Sequence, residues 1–227
     1  MAIKFSCPSC GADLIFQSSI SIFATCSFCQ STVVRKDMDL ESLGKTGQVI
    51  EDMSVIQLGT RGTFDKSAFQ IIGRIQMKWD GGFWNEWFAG FDDGKVGWIA
   101  EAQGSLMISF EDPRFKKFPL QQSLLVNTRL QMSDLKYYFV KDIRRAEVVS
   151  TVGELPLTQV LGQFKITYDL SSEEGGFATL DYGVESNRDP LCYLGSWQTV
   201  QSLKLTSLRE FEGWVLPTAT APVKKNG

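Results

Sequence analysis

The chain of 227 residues carries a formal net charge of −3 and contains no histidine. Without imidazole, Ser-His-Asp and Cys-His catalysis are excluded, and so is a histidine-ligated catalytic metal. The 23 basic residues are spread along the chain, with their densest group at 141–145, which disfavours general binding to a phosphate backbone. No apolar run reaches eighteen residues and no signal-peptide pattern is present, so we expect a cytoplasmic protein whose thiols stay reduced.

Four cysteines near the amino terminus form two Cys-x-x-Cys pairs. Cys7 and Cys10 are separated from Cys26 and Cys29 by fifteen residues. This spacing is typical of a structural zinc site in which each pair occupies a tight turn and the residues between the pairs form a hairpin. Four thiolates leave no open coordination position, so the Zn²⁺ is expected to support folding and not catalysis. Residues 1–35 are therefore predicted to be a zinc ribbon.

The residue that follows each cysteine pair is expected to adopt a positive φ. Gly11 suits this conformation in the first turn, and Gln30 holds the corresponding place in the second. A module of this size has almost no core of its own, so the metal should supply about 10 kcal/mol of its apparent folding free energy. Chelation is then expected to unfold residues 1–35 and to leave the domain after Gly47 folded.

The rest of the chain is predicted to be an all-β body of barrel or sandwich type. FQIIGR from Phe69 precedes a Gly-Gly-Phe at 81–83, and FKITYD from Phe164 precedes another at 175–177. A duplication into two related β units and a chance recurrence both fit this repeat. The expected boundaries are a linker at 36–54, a first β unit at 55–131, a second β unit at 132–216 and a disordered tail at 217–227.

An aromatic-rich hairpin is the most distinctive part of the body. Asp93-Gly94 lies between two aromatic runs and predicts a type I′ turn that joins strands 83–91 and 95–101. The alternation of a strand divides the first of these between two faces. Asn85, Trp87, Ala89 and Phe91 share one face with Phe83, and Trp84, Glu86 and Phe88 share the other.

Both faces of this strand carry aromatic side chains, and two interpretations remain open. The strand is buried on both sides, for example in a closed barrel, or it lines a partly exposed groove for a ligand or partner. The candidate ligand or partner surface consists of Trp84, Glu86, Trp87, Trp98 and Glu101. Burial of both Trp84 and Trp87 would indicate a scaffold, whereas one buried and one in a cleft would indicate a site. No spacing fixes the distance between the two carboxylates, so structural roles are expected for them.

Cys192 stands apart from the other cysteines. It lies between Leu191 and Tyr193 in an apolar run that is predicted to be a strand. We expect a small buried apolar side chain and not a nucleophile.

Several motifs together resemble an uncharacterised bacterial family that is known only as a domain of unknown function. They are CPSCGA and CSFCQS, LGTRGTF, FQIIGRIQ, WNEW, GWIAEAQG, GELP and DLSSEEGGFATLDYG. The resemblance implies an all-β body and offers no catalytic residue. Members of that family are often encoded near aminopropyltransferase-like genes and small membrane proteins, which implies an envelope-associated or polyamine-linked assembly.

Two functions follow as hypotheses. The first is a non-enzymatic adaptor or scaffold that contacts a protein partner, a membrane protein being one option, through the ribbon, the aromatic hairpin or both. The second is a sensor or enzyme that binds an amine in a tryptophan-lined pocket, because aromatic faces beside carboxylates suit cations. Nucleic acid is disfavoured as a partner, since Lys4, Arg35 and Lys36 are the ribbon's only basic residues.

Overall fold

A computed structural model describes residues 3–36, 39–45, 52–102, 104–116, 118–156, 162–183 and 189–212. Within these ranges the regular elements are strands and one 3-10 turn, Gln121–Ser123, so the expected all-β fold is confirmed. The strands are β1 Ile3–Ser6, β2 Asp13–Phe16, β3 Phe23–Thr25, β4 Ser31–Lys36, β5 Asp39–Lys45, β6 Arg61–Phe64, β7 Ser67–Trp79, β8 Gly82–Phe91, β9 Val96–Ala102, β10 Ser105–Glu111, β11 Arg129–Gln131, β12 Tyr137–Leu155, β13 Phe164–Ser171, β14 Gly176–Asp181 and β15 Leu191–Gln198.

Eight of these strands close into a barrel. The order around it is β7, β8, β9, β10, β15, β14, β13 and β12, and β12 pairs back with β7. All neighbours are antiparallel, β6 extends the sheet beside β7, and β11 pairs with β12. A barrel of eight strands has an interior that side chains can fill or that holds one small ligand.

The outer face of the barrel is apolar and is covered by other parts of the chain. On β7 to β10 its apolar side chains include Phe69, Trp87 and Ile108, and Leu203 and Leu205 from the chain after β15 pack over them. Burial of this outer face explains why both faces of the aromatic hairpin are apolar in sequence.

The other half of the barrel has a similar cover. Leu170, Leu180 and Cys192 point outward and are covered by Phe115 and Leu124 from the long connection after β10. Cys192 is only 3% exposed, which confirms its expected burial.

The ribbon is joined to one end of the barrel. β1 and β2 form a hairpin, and β3, β4 and β5 form a small sheet. That sheet continues into the barrel because β3 pairs with the end of β12, where Ala24 lies opposite Glu154 and Phe23 opposite Leu155. The ribbon and the barrel thus share one hydrogen-bonded sheet.

Part of the expected linker is a strand. Within 36–54, the segment β5 pairs with β4, and the side chain of Leu40 packs on the ribbon's core. The polar sequence of β5 had indicated a loop, but an edge strand needs only one apolar contact and a backbone partner. The other expected domain boundaries stay predictions, and the predicted tail at 217–227 lies outside the described residues.

The repeated motifs fall at different places in the barrel. β7 to β10 and β12 to β15 are two four-stranded meanders that run in opposite directions around it. Phe69 lies on the first strand of one meander, whereas Phe164 lies on the second strand of the other. The motif offset therefore does not superpose one meander on the other strand by strand, and the duplication stays a hypothesis.

The hairpin turn differs from its expected type. Gly94 has a φ of 85° but Asp93 is not among the described residues with positive φ, so the turn is not type I′. Hydrogen bonds from Gly94 N–H to the Phe91 carbonyl and from Phe91 N–H to the Lys95 carbonyl define a three-residue loop with a glycine bulge. The strands it joins lie within about one residue of the expected bounds. None of the described residues forms a helix suited to crossing a bilayer.

Candidate metal centre and barrel cavity

The four cysteines of the ribbon lie together and can bind a metal ion. The Sγ atoms of Cys7, Cys10, Cys26 and Cys29 all lie within 4.8 Å of one another. The Cys7–Cys29 and Cys10–Cys26 Sγ separations are 3.7 and 3.8 Å. Metal–sulfur bonds of about 2.3 Å at tetrahedral angles place two ligand atoms about 3.8 Å apart, so the sulfur geometry fits a tetrahedral four-thiolate site.

The two turns that carry the cysteines have the same geometry. Gly11 donates its N–H to the Cys7 carbonyl, and Gln30 donates to the Cys26 carbonyl, both at 2.8 Å. Their φ angles are 75° and 60°, which confirms the predicted positive conformations. In the four-thiol cluster without metal, the hydroxyl and backbone of Ser31 lower the pKa of Cys29 to about 6. Despite a backbone hydrogen bond from Ala12, which acts to lower it, the pKa of Cys10 is raised to about 12 by burial and the other three thiols. Metal binding therefore has to displace protons from this cluster.

The ribbon also contacts the barrel through side chains. The carboxylate of Glu154 on β12 accepts the backbone N–H groups of Gln17 and Ser18 at 2.7 and 3.1 Å. Phe23 of β3 belongs to the same packed cluster as Ile75 and Phe88 of the barrel. Formation of the ribbon therefore completes the packing at this end of the barrel.

The predicted ligand or partner surface is divided between the two sides of the barrel wall. Trp87 is 2% exposed on the outer face, and its indole N–H donates to Glu101 at 2.9 Å. The same Glu101 oxygen accepts from Ser54 at 2.6 Å and from Asn85 at 3.2 Å. Glu101 is thus a hydrogen-bonded structural carboxylate, as expected, and Trp87 belongs to the packing of the outer face.

Trp84, Glu86 and Trp98 lie on the inner face of the same hairpin. Residues directly opposite in antiparallel strands share a face, and the partner of Glu86 on β9 is Ala100. Glu86 accepts from the Trp84 indole at 3.1 Å and pairs with Lys165 at 2.9 Å. Lys165 is on β13, which is not a neighbour of β8, so this ion pair crosses the interior of the barrel.

The barrel interior contains two adjoining cavities of about 60 and about 230 Å³. Both are lined by Glu86, Ala100, Thr167, Phe177 and Thr179. The larger one is also lined by Trp79, Gly81, Phe83, Trp84, Ala102, Met107, Asp142, Arg144 and Asp169. Phe83 is 45% exposed, so this cavity lies at a mouth of the barrel. Trp84 is half-buried and lines the cavity while Trp87 is buried, and this is the combination that indicates a site.

The mouth and the ribbon lie at opposite ends of β12. Asp142 lines the cavity, and Glu154 contacts the ribbon twelve residues further along the strand. At about 3.3 Å per residue this separation is on the order of 40 Å along the chain.

The residues that sequence reasoning missed lie on β13 and β14. Lys165, Thr167 and Asp169 alternate with Ile166, Tyr168 and Leu170, and a pattern of this kind normally places the polar face in water. In the closed barrel the polar face points inward and the apolar face lies under the connection after β10. The alternation of polar and apolar residues is visible in the sequence. Only the closure of the barrel shows that the polar face points inward.

Two larger grooves lie on the outside of the barrel. One, of about 400 Å³, is lined by Glu101 and Asn85, whose polar groups bind other protein groups. The other, of about 660 Å³, is lined by Asp93 and Lys95, which form an exposed ion pair with each other. The interior is the better candidate site because the side chains of Lys165, Glu86 and Asp181 on its walls are only 7, 18 and 11% exposed.

The protein is a closed eight-stranded barrel. A polar cavity lies at one end of the barrel, and a four-cysteine module that can bind a metal lies at the other. Residues 57–199 match the family model described as a domain of unknown function, DUF4178, and the chain belongs to this family. The match spans β6 to β15 and leaves the ribbon outside it. No curated protein and no solved structure matches the chain.

Proposed function

We propose that this protein binds a small molecule in the barrel cavity and that a Zn²⁺-loaded ribbon supports the opposite end. The supporting observation is the interior of the barrel, where a cavity of about 230 Å³ lined by charged and aromatic side chains adjoins the packed apolar cluster that includes Ile75, Met77 and Phe88. Burying charged groups in a barrel costs stability, so a polar interior with open volume is an arrangement that ligand binding explains.

Filling the cavity tests this proposal. Ala100 lines both interior cavities, and an Ala100→Phe variant would occupy the space that a ligand needs. Ala68→Phe is the matched control because Ala68 is exposed on β7. Protein purified from its host, or incubated with a metabolite library, is examined by native mass spectrometry and by thermal shift.

We expect a small-molecule adduct or a ligand-dependent rise in Tm for the native protein and for Ala68→Phe. Ala100→Phe should lose it while keeping its circular dichroism spectrum. If the native protein carries no adduct and no library member raises its Tm, the proposal is wrong.

The ribbon's metal is proposed to be Zn²⁺ because four thiolates at tetrahedral separations suit this ion. Elemental analysis of the purified protein should find one zinc per chain, and a Cys26→Ser variant should retain much less. A stoichiometric content of iron in place of zinc would contradict the assignment.

An adaptor role for the ribbon is the second proposal. Its support is Phe28, which is 80% exposed between Cys26 and Cys29, together with Ile15 and Ile20, which are 56% and 48% exposed. A Phe28→Ser variant should lose a crosslinked protein partner in the host, whereas Leu43→Ser, at the exposed β5, should keep it. An envelope-associated or polyamine-linked assembly is the setting that the family resemblance implies for such a partner.

A further inference from the structure

The charges that line the interior cavities do not balance. Their walls carry four carboxylates and two cations, namely Glu86, Asp142, Asp169 and Asp181 against Arg144 and Lys165. Lys165 pairs with Glu86 at 2.9 Å and with Asp181 at 3.3 Å. Although burial alone would lower the pKa of Lys165, Asp181 and Glu86 raise it, so this ammonium is held charged between the two carboxylates.

The second cation is also engaged. Arg144 pairs with Asp142 at 2.6 Å, and its guanidinium lies 3.8 Å from the centre of the Trp79 ring. The mouth of the barrel therefore already holds one organic cation between a carboxylate and an aromatic face, although both side chains of this pair remain partly in contact with water.

Among the described residues, Asp169 is the wall carboxylate that forms no ion pair, although the charge of Lys165 attracts it from a distance. Its Oδ1 accepts a hydrogen bond from the hydroxyl of Thr179 at 2.7 Å. Asp142 lies directly opposite it on β12, and like charges at directly opposite positions destabilise a sheet. A buried carboxylate beside a second carboxylate requires either a proton or a counter-ion.

The walls of the cavity favour an organic counter-ion over a metal ion. Among the described residues, the four ribbon cysteines are the group of three or more ligand side chains close enough to share a metal, so the interior carboxylates offer a metal at most two such ligands at one place. The cavity beside Asp169 is instead walled by Trp79, Trp84 and Phe177. Aromatic faces around one carboxylate suit a ligand with an ammonium group and an apolar body.

We infer that the barrel cavity binds a small organic ammonium ion, with the carboxylate of Asp169 as its counter-ion and the rings of Trp79, Trp84 and Phe177 against its apolar part. This inference rests on the proposed ligand-binding function and specifies its ligand class. Thr179 positions the carboxylate, and Asp142 with Arg144 forms the rim through which the ligand enters.

Calorimetry on the full-length, metal-loaded protein at pH 7.5 tests the inference, with hexylammonium chloride as the probe. Hexanol, hexanoate and Ca²⁺ are the matched neutral, anionic and metallic ligands. Hexylammonium should bind at least about tenfold more tightly than hexanol, and hexanoate and Ca²⁺ should not compete with it. An Asp169→Asn variant, which keeps the shape and removes the charge, should lose at least about tenfold in affinity for hexylammonium.

Asp93→Asn is the control, because it removes one carboxylate from the exposed β8–β9 turn and should leave the affinity unchanged. Folding of both variants is checked by circular dichroism and by Tm. Equal binding of hexanol and hexylammonium, or unchanged affinity in Asp169→Asn, overturns the cation inference while the ligand-binding proposal stands. Binding that Ala100→Phe leaves intact shows instead that the cavity is not the site, and both proposals then fail.

Discussion

The two ends of this barrel satisfy their polar groups in different ways. At the ribbon end, the four cysteines can surround one metal ion, and the Glu154 carboxylate accepts two backbone N–H groups at 2.7 and 3.1 Å. At the mouth, Asp169 has one neutral donor and open volume beside it. A polar centre that is fully coordinated stabilises the fold, whereas one that lacks a partner is available to a ligand.

Removal of the metal should have the largest effect on the difference between the two ends of the barrel. Chelation should unfold residues 3–36, because zinc supplies about 10 kcal/mol of apparent folding free energy to such modules. Since β3 pairs with β12 and Phe23 packs on Ile75, we also expect a lower Tm for the barrel, which stays folded. Hydrogen exchange should rise throughout the ribbon and at 150–155, and remain slow in β8 to β10. Unchanged exchange in the ribbon would mean that its fold does not depend on metal.

Loss of the Glu154 carboxylate should weaken the contact between the ribbon and the barrel. The expected loss of stability is smaller than that caused by removal of the metal. Glu154→Ala leaves the N–H groups of Gln17 and Ser18 without their acceptor, at a cost of about 2–3 kcal/mol. Urea unfolding measures the loss, and faster chelation of zinc should accompany it. The control is Glu41→Ala, because Glu41 is an exposed carboxylate on β5. Equal stability of the two variants would show that the Glu154 contact does not hold the ribbon.

The unbalanced charge at the mouth should make the ligand-free protein less stable as pH rises. Burial raises the pKa of Asp169 to about 6, above its value in the unfolded chain. Its contribution to stability is therefore complete below about pH 4 and is lost as pH rises through about 6, a change on the order of 1–3 kcal/mol.

The Asp169→Asn variant should lack this decline and be more stable than the native protein at pH 7.5. Urea unfolding at several pH values measures it. Other charged groups that face the interior are Asp142 and Arg144 on β12, Glu86 on β8, Lys165 on β13 and Asp181 on β14, and the neutral phenol of Tyr193 on β15 lies beside them. A decline that persists in Asp169→Asn would mean that Asp169 is not its source; burial also raises the pKa of Glu154, which the Glu154→Ala variant tests.

The smallest expected effect concerns the second cysteine turn. Gln30 has a φ of 60°, a conformation that costs a residue with a Cβ about 1 kcal/mol or more relative to glycine. Gln30→Gly should therefore slow the release of zinc to a chelator. Gly11→Ala, at a φ of 75°, should have the opposite effect. A faster release from Gln30→Gly would show that its side chain contributes more than its backbone costs.

Much of the ribbon and hairpin could be predicted because their geometry is local. The spacing of Cys7 to Cys29 defined the metal centre, and the positive φ of Gly11 and Gln30 followed from the turn that a cysteine pair needs. The alternation in WNEW correctly assigned Trp84 and Glu86 to one face and Trp87 to the other. The strand β5 was missed because its pairing with β4 compensates for a polar sequence.

The direction of the polar faces is a property of the whole barrel. The sequence pattern of β13 is typical of a strand whose polar face, with Lys165, Thr167 and Asp169, is exposed to solvent. The pairing of β12 with β7 instead encloses these side chains in the barrel. Residues distant in sequence, such as Phe115 and Leu124, cover the apolar side of the same strands. Cysteine spacing and strand alternation are local and can be read from the chain, whereas the cavity exists only because β12 pairs with β7 and closes the sheet into a barrel.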